Sequence, residues 1–225
     1  MTTAKAFVET AFQKLIQRGW ILPEQLTQSP NTEQQIAAFE QKYNIKIPTI
    51  YRAFLLSYQY PFSDGLNTIV YKYDELEPLW IFLPTPTISD LEKNYLELQE
   101  VAMDCYDITF ENCKHLLHIG DWGYGWGPLC IDLSKSETDV NIEDENTWQL
   151  VWLDHEKNWN EWETNKNGKL IGSAAAPNFQ TLLEWYFMGT FESIFEQEYH
   201  VKLTKDLLCN ESFLKSYWEE QWQTK

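Results

Sequence analysis

The sequence predicts an α+β fold: a single, mostly antiparallel (mixed) sheet flanked by helices, with extra helices at the N- and C-terminal ends. Three observations carry this expectation. Apolar residues recur at helical spacing in the first sixty residues, again after residue 88 and again after residue 178. Short β-branched and aromatic runs, separated by glycine-rich or acidic stretches, cluster between residues 66 and 153. The resulting order of helices, strands, one helix, strands and terminal helices lacks the regular alternation of a doubly wound parallel sheet.

The elements follow in order. Ala4, Phe7, Val8, Ala11, Phe12, Leu15 and Ile16 form a helical stripe that Gly19 stops. Residues 20–31, with Pro23 and Pro30, read as a linker. Thr32 and Gln35 make a capping-box pattern ahead of Ile36, Phe39 and Tyr43, so a second helix starts there. Pro48 suits a helix first turn, and Tyr51, Phe54, Leu55 and Tyr58 continue as a third. After Asp64-Gly65, the runs Leu66–Tyr73 and Leu79–Leu83 read as strands. Ser89 with Glu92 reads as another capping box, opening a helix through Leu91, Tyr95, Leu98 and Ala102 to about Cys105. Leu116–Gly120, Leu129–Leu133 and Trp148–Leu153 are three more strands, and Asn167-Gly168 marks a tight turn. Asn178 caps a helix through Phe179, Leu182, Leu183, Tyr186 and Phe187, and residues 206–222 read as helical.

Composition narrows the function. A chain of 225 residues with 44% hydrophobic content can bury one substantial core. Its formal charge of −17 repels phosphate backbones, so nucleic acid is not an expected partner. No stretch approaches the roughly 20 apolar residues of a membrane helix and the N-terminus lacks a signal-peptide core, so a soluble, cytoplasmic protein without a membrane partner is expected. Cys105, Cys113, Cys130 and Cys209 lack CxxC spacing and are expected to be reduced and mostly packed.

Several patterns invite a chemical reading and fail on their own spacing. Cys113, His115 and His118 are plausible zinc donors, but no fourth ligand is near and an odd separation in a strand sends the two imidazoles to opposite faces. The glycines of 120–127 superficially resemble a phosphate loop, yet neither Lys-Ser, Lys-Thr nor a helix start follows; a curved β segment leaving room for Trp122, Tyr124 and Trp126 fits better. Asp139, Asn141, Glu143 and Glu145 alternate as in a calcium loop, but Asp144 stands where glycine belongs and Leu150 where the bidentate Glu belongs. Asp154-His155-Glu156 with Cys130 could mimic a triad, but adjacent residues rarely converge on one atom and no nucleophile elbow is present. Neither a metal, nor a cofactor, nor a catalytic centre is therefore expected.

One feature survives. Between Glu137 and Glu163 nine carboxylates face a single lysine, Lys157, and Trp148, Trp152, Trp159 and Trp162 are interleaved with them. Acids steer the approach of a basic protein while large rings anchor it, which nominates Asp139, Glu143, Asp144, Glu145, Trp148, Asp154, Glu156, Trp159 and Glu161 as a partner-binding set. An alternative stays open at this point: the tryptophans are core and the acids only solvate the surface.

The segments IAAFEQKYNIKIPTIYRAFLLS (36–57), Gly65, LLHIGDWGYGWGPLCIDLS (116–134) and VWLDHE (151–156) resemble the Smi/Knr-type branch of the SUKH superfamily in order and spacing. The resemblance covers about residues 30–200 of what is then one SUKH-like domain, 1–225. Residues 1–29 are an added helix and linker, and 201–225 a helical extension that departs from the compact pattern. It implies a sheet flanked by helices, no catalytic centre, and fold-defining roles for Gly120, Asp121, Gly123, Tyr124, Gly125, Trp126 and Asp132. Bacterial members are mostly immunity proteins that neutralise toxin domains, often nucleases; fungal relatives are scaffold-like and linked to cell-wall regulation. The expected function is thus an immunity protein whose partner is a basic toxin, a nuclease being one candidate. The alternatives are an intracellular scaffold or regulator without a toxin, and a small-molecule-binding or hydrolytic activity.

Overall fold

The computed structural model describes residues 3–17, 22–59, 70–71, 79–80, 82–84, 87–122, 127–137, 144–154 and 162–188. The expected C-terminal helix at 206–222 lies outside them.

Helix α1 (Ala4–Gln17) buries Val8, Ala11, Phe12 and Leu15, the stripe its spacing predicts. The expected linker holds a 3-10 turn at Pro23–Gln25 and a two-residue strand, β1 (Thr27–Gln28), too short to leave a period in the sequence. Helix α2 (Glu33–Tyr43) has the predicted capping box: Gln35 N–H donates to the Thr32 hydroxyl and Thr32 N–H to the Gln35 carboxamide. It ends at Asn44, whose φ of 53° is a left-handed conformation that Asn tolerates. Helix α3 (Thr49–Ser57) begins after Pro48, which stands at the N-cap and supplies no side-chain cap. Strand β2 (Tyr58–Gln59) then pairs antiparallel with β1.

The run expected at Leu66–Tyr73 contains β3 (Val70–Tyr71), and that at Leu79–Leu83 divides into β4 (Leu79–Trp80), which pairs with β3, and β5 (Phe82–Pro84), which joins the main sheet. Helix α4 (Ile88–Tyr106) starts earlier than Ser89 predicts: Thr87 has the extended backbone of a cap and accepts Asp90 N–H, leaving Ser89 inside the first turn. A short α5 (Phe110–Cys113) follows, then β6 (Leu116–Trp122), β7 (Gly127–Asp132) and β8 (Leu150–Trp152). The last strand, β9 (Ser173–Ala176), was not expected, because an alanine run carries no strand signal. Helix α6 (Phe179–Tyr186) is capped by Asn178, whose side-chain oxygen accepts Thr181 N–H at 2.8 Å. The predicted turn at Asn167-Gly168 is present, with Gly168 at φ 78°.

The main sheet runs β5-β6-β7-β8-β9 with every neighbouring pair antiparallel, beside the two-stranded ladders β1-β2 and β3-β4. The fold is therefore α+β, with a mostly antiparallel sheet and flanking helices as expected. Strand alternation sends Leu117, Ile119, Leu129, Ile131, Leu150 and Trp152 into the larger apolar cluster with α1, α3 and α6. Leu116, Cys130 and Val151 join the smaller one, with Leu98 and Ala102 of α4 and Cys113 of α5. Aromatic contacts bind the larger cluster: Phe12 stacks on Phe54 at 5.6 Å and meets Phe187 edge-on at 5.3 Å, and Tyr51 meets Phe179 at 4.9 Å. No helix among the described residues is long and apolar enough to cross a membrane.

Candidate functional site

Of the nominated acids, the first among the described residues is Asp144, an exposed residue whose carboxylate caps a 3-10 turn at Glu145–Thr147 by accepting Asn146 N–H at 3.1 Å. Glu145 turns inward. Its Oε1 accepts the N–H of Ile50 at 3.0 Å, across ninety-five positions of sequence, and so provides α3 with the side-chain cap that Pro48 cannot. Burial pushes the Glu145 carboxyl up to about 7, against the lowering pull of the Ile50 amide. A second carboxylate serves the same corner: Glu40 Oε1 accepts Ile47 N–H at 2.9 Å, and Arg52 links Glu40 at 3.0 Å to Glu33 at 2.6 Å.

The remaining nominated residues separate clearly. Trp148 is 0% exposed and its ring belongs to the core, as does that of Trp152, so the core alternative holds for both and neither offers a ring to a partner. Trp148 also precedes β8, because its N–H closes the 3-10 turn onto Glu145 O. Asp154 is buried, and its carbonyl accepts the Trp162 indole N–H at 3.2 Å. Trp162 in turn lies flat on Tyr106, with ring centroids 4.0 Å apart and planes within 2°. That stack fastens the end of the acidic stretch to the last turn of α4. Glu163 beside it is exposed. Asp139, Glu143, Glu156, Trp159 and Glu161 lie outside the described residues.

The glycine-aspartate motif shapes the sheet. Gly120 sits at a bulge in β6, where the pairing with β7 slips between His118 and Gly120, and Gly127 opens β7 at φ 145°. Asp121 is in β6 beside His118, 3.9 Å from its Nε2. Asp132 ends β7 and accepts Ser134 N–H at 2.8 Å, which starts the following 3-10 turn. Gly123, Tyr124, Gly125 and Trp126 lie outside the described residues.

The two histidines near Cys113 serve different elements. His115 Nε2 is 3.0 Å from Leu170 O, and His118 Nδ1 is 3.3 Å from Asn94 O of α4. Burial holds the His118 imidazole below its ordinary value. Cys113 and Cys130 are buried thiols that burial pushes up, Cys113 to about 11.

Two features escaped the sequence reading. The Glu145–Ile50 bond left only an indirect sign, a helix opening on a proline that cannot cap it. The outward side of α4 left a fuller one: Leu96, Val101 and Met103 stand off the buried stripe of Leu91, Tyr95, Leu98 and Ala102, among Glu97, Glu100 and Asp104.

No curated protein and no solved structure matches the chain. The sequence model described as the SMI1 / KNR4 family (SUKH-1) matches residues 30–185, a span that holds the whole five-stranded sheet, α2 to α5 and nearly all of α6, while α1 lies before it. With more than half of its length matched, the chain belongs to the SMI1 / KNR4 family (SUKH-1).

Proposed function

We propose that the chain is an immunity protein, which binds a basic toxin domain and neutralises it by occupancy, without a catalytic step of its own. The observation that carries the reading is the charge of −17 on a chain in which Asp144, Glu163 and, on α4, Glu97, Glu100 and Asp104 are exposed. Such a surface speeds encounter with a basic protein and disfavours anionic partners. Family membership supports a protein-binding role, since the resemblance implies immunity proteins among bacterial members. A nuclease suits the charge best, because a site that holds phosphate is itself basic and an acidic surface can stand in for the nucleic acid.

The test is co-expression with the product of the adjacent gene. Rescue of growth from its toxicity, with co-purification of the pair, is the expected result. Neither binding nor rescue would sink the immunity reading and favour a scaffold whose partners are housekeeping proteins.

A further inference from the structure

We propose that the outward face of α4, together with the start of α5, is the surface on which the partner docks, and that the partner presents a basic, amphipathic segment to it. The proposal rests on the reading of the chain as a binder of a basic protein; it adds the place and the chemistry of the contact.

The first observation is apolar exposure. Helix α4 runs for 19 residues, about 28 Å, and packs one side on β6 and α2. On its other side Leu96, Val101 and Met103 are 39%, 44% and 42% exposed, and Phe110 at the start of α5 is 38% exposed. These are four of the six exposed large apolar side chains among the described residues, so the exposure is concentrated rather than scattered. Leu96 and Met103, seven positions apart, line one flank of the helix, and Val101 lies across its crest. Tyr106, with Trp162 stacked on it, continues from Met103 at the C-terminal end.

The second observation is charge. The crest between those side chains carries Glu97, Glu100 and Asp104. Lys93 reaches Glu97 at 3.5 Å, but among the described residues no cation pairs with Glu100, Asp104 or Asp107. The placement works against the helix itself. The C-terminal turn is the negative end of the helix dipole, where basic residues stabilise and acids destabilise, and the last turn of α4 has no basic residue. Asp104 lies in that turn and Asp107 caps it, with φ at 54°. A cation from a partner would relieve the carboxylates and complement the negative end of the helix dipole, while its apolar neighbours cover Met103 and Leu96.

The same charge selects the occupant. Self-association through this face would set carboxylates against carboxylates in an isologous contact. Nucleic acid and anionic lipid are repelled. A basic amphipathic segment matches both halves of the pattern.

The test measures binding of the adjacent-gene product to the full chain carrying Asp104→Lys with Asp107→Asn, Met103→Asp, or Glu24→Lys as an exposed acid elsewhere. Thermal unfolding is followed in parallel, and spectra of the ¹⁵N-labelled chain are recorded with a lysine–leucine amphipathic peptide as a second probe. Expected are losses of about tenfold or more in affinity for the first two variants and none for Glu24→Lys, with amide shifts grouped over residues 96–110. Because lysine favours a helix C-terminus and asparagine tolerates the left-handed backbone at residue 107, the double variant is expected to leave Tm unchanged or raised, which separates lost docking from lost folding. Undiminished affinity in both α4 variants would overturn the proposal; if Glu143→Lys then abolished binding, the immunity reading would stand with its interface on the acidic stretch. Were the adjacent-gene product not bound by the unaltered chain, that reading would fail by itself. The peptide would then decide: shifts on α4 support the surface, and shifts elsewhere, or none, overturn it.

Discussion

Glu145 couples the acidic stretch to the stability of α3, and its titration makes the coupling measurable. The folded carboxyl holds its proton up to about pH 7, whereas the ordinary value for an unfolded glutamate is 4.5. A raised carboxyl contributes stability that is fully present below pH 4.5 and is lost as pH rises through 7, because the unfolded chain releases the proton first. Each pH unit inside that window is worth at most about 1.4 kcal/mol. Glu145 as a residue is half-buried rather than fully enclosed, so an overall loss of about 1–2 kcal/mol between pH 5 and 8 is expected. Glu145→Gln retains an acceptor for the Ile50 amide and cannot ionise. It should match the unaltered chain at pH 5, exceed it at pH 8, and flatten this part of the profile. Glu145→Ala removes the cap and should cost about 1–2 kcal/mol relative to Glu145→Gln at both pH values, so that its deficit against the unaltered chain is largest at pH 5 and shrinks toward pH 8. Urea unfolding at pH 5, 6, 7 and 8 measures all three proteins. Parallel profiles for the unaltered chain and Glu145→Gln would refute the reasoning.

Three further outcomes follow from packing and pairing. The Tyr51 hydroxyl is fully buried without a hydrogen-bond partner among the described residues, and burial alone pushes it upward, so Tyr51→Phe should leave stability unchanged or raise it by about 1 kcal/mol; a comparable loss in urea would contradict this. A Cβ at Gly172 would stand 2.9 Å from Val151 side-chain atoms and Trp152 O, so Gly172→Ala should lower stability by about 1–3 kcal/mol, visible as a reduced Tm. Arg52→Leu strands the carboxylate of Glu40, whose side chain is 9% exposed, and should cost about 2 kcal/mol in chemical denaturation; adding Glu40→Gln should recover part of it.

Much of the fold was legible because its signals are local. The capping box at Thr32 and Gln35, the stripe of α1 and the cap at Asn178 each lie within a few residues, and each is present in the structure. The misses share a cause as well. Ser89 looked like the cap of α4 because Glu92 follows it, but Glu92 instead accepts Lys42 and the Tyr43 hydroxyl, both at 2.7 Å, which joins α4 to α2. β9 is made of small residues that carry no strand signal of their own, and only its pairing with β8 reveals it; Gly172, just before it, has no room for a Cβ against Val151 and Trp152. In the candidate site, charge was readable and direction was not. Asp144 and Glu145 are neighbours, yet one caps its own turn in solvent while the other reaches inward to α3. Trp148 and Trp162 belong to one interleaved set, but the first is core and only the second comes to the surface beside Tyr106.

The central claim, that this chain recognises a basic protein through an acidic surface, is tested most directly by the salt dependence of association. Stopped-flow mixing with the adjacent-gene product would give the association rate constant from roughly 0.02 to 0.5 M ionic strength, over which the Debye length falls from about 20 to about 4 Å. The account predicts a rate that drops by at least tenfold across that range, with dissociation changing far less. A rate indifferent to salt would contradict it.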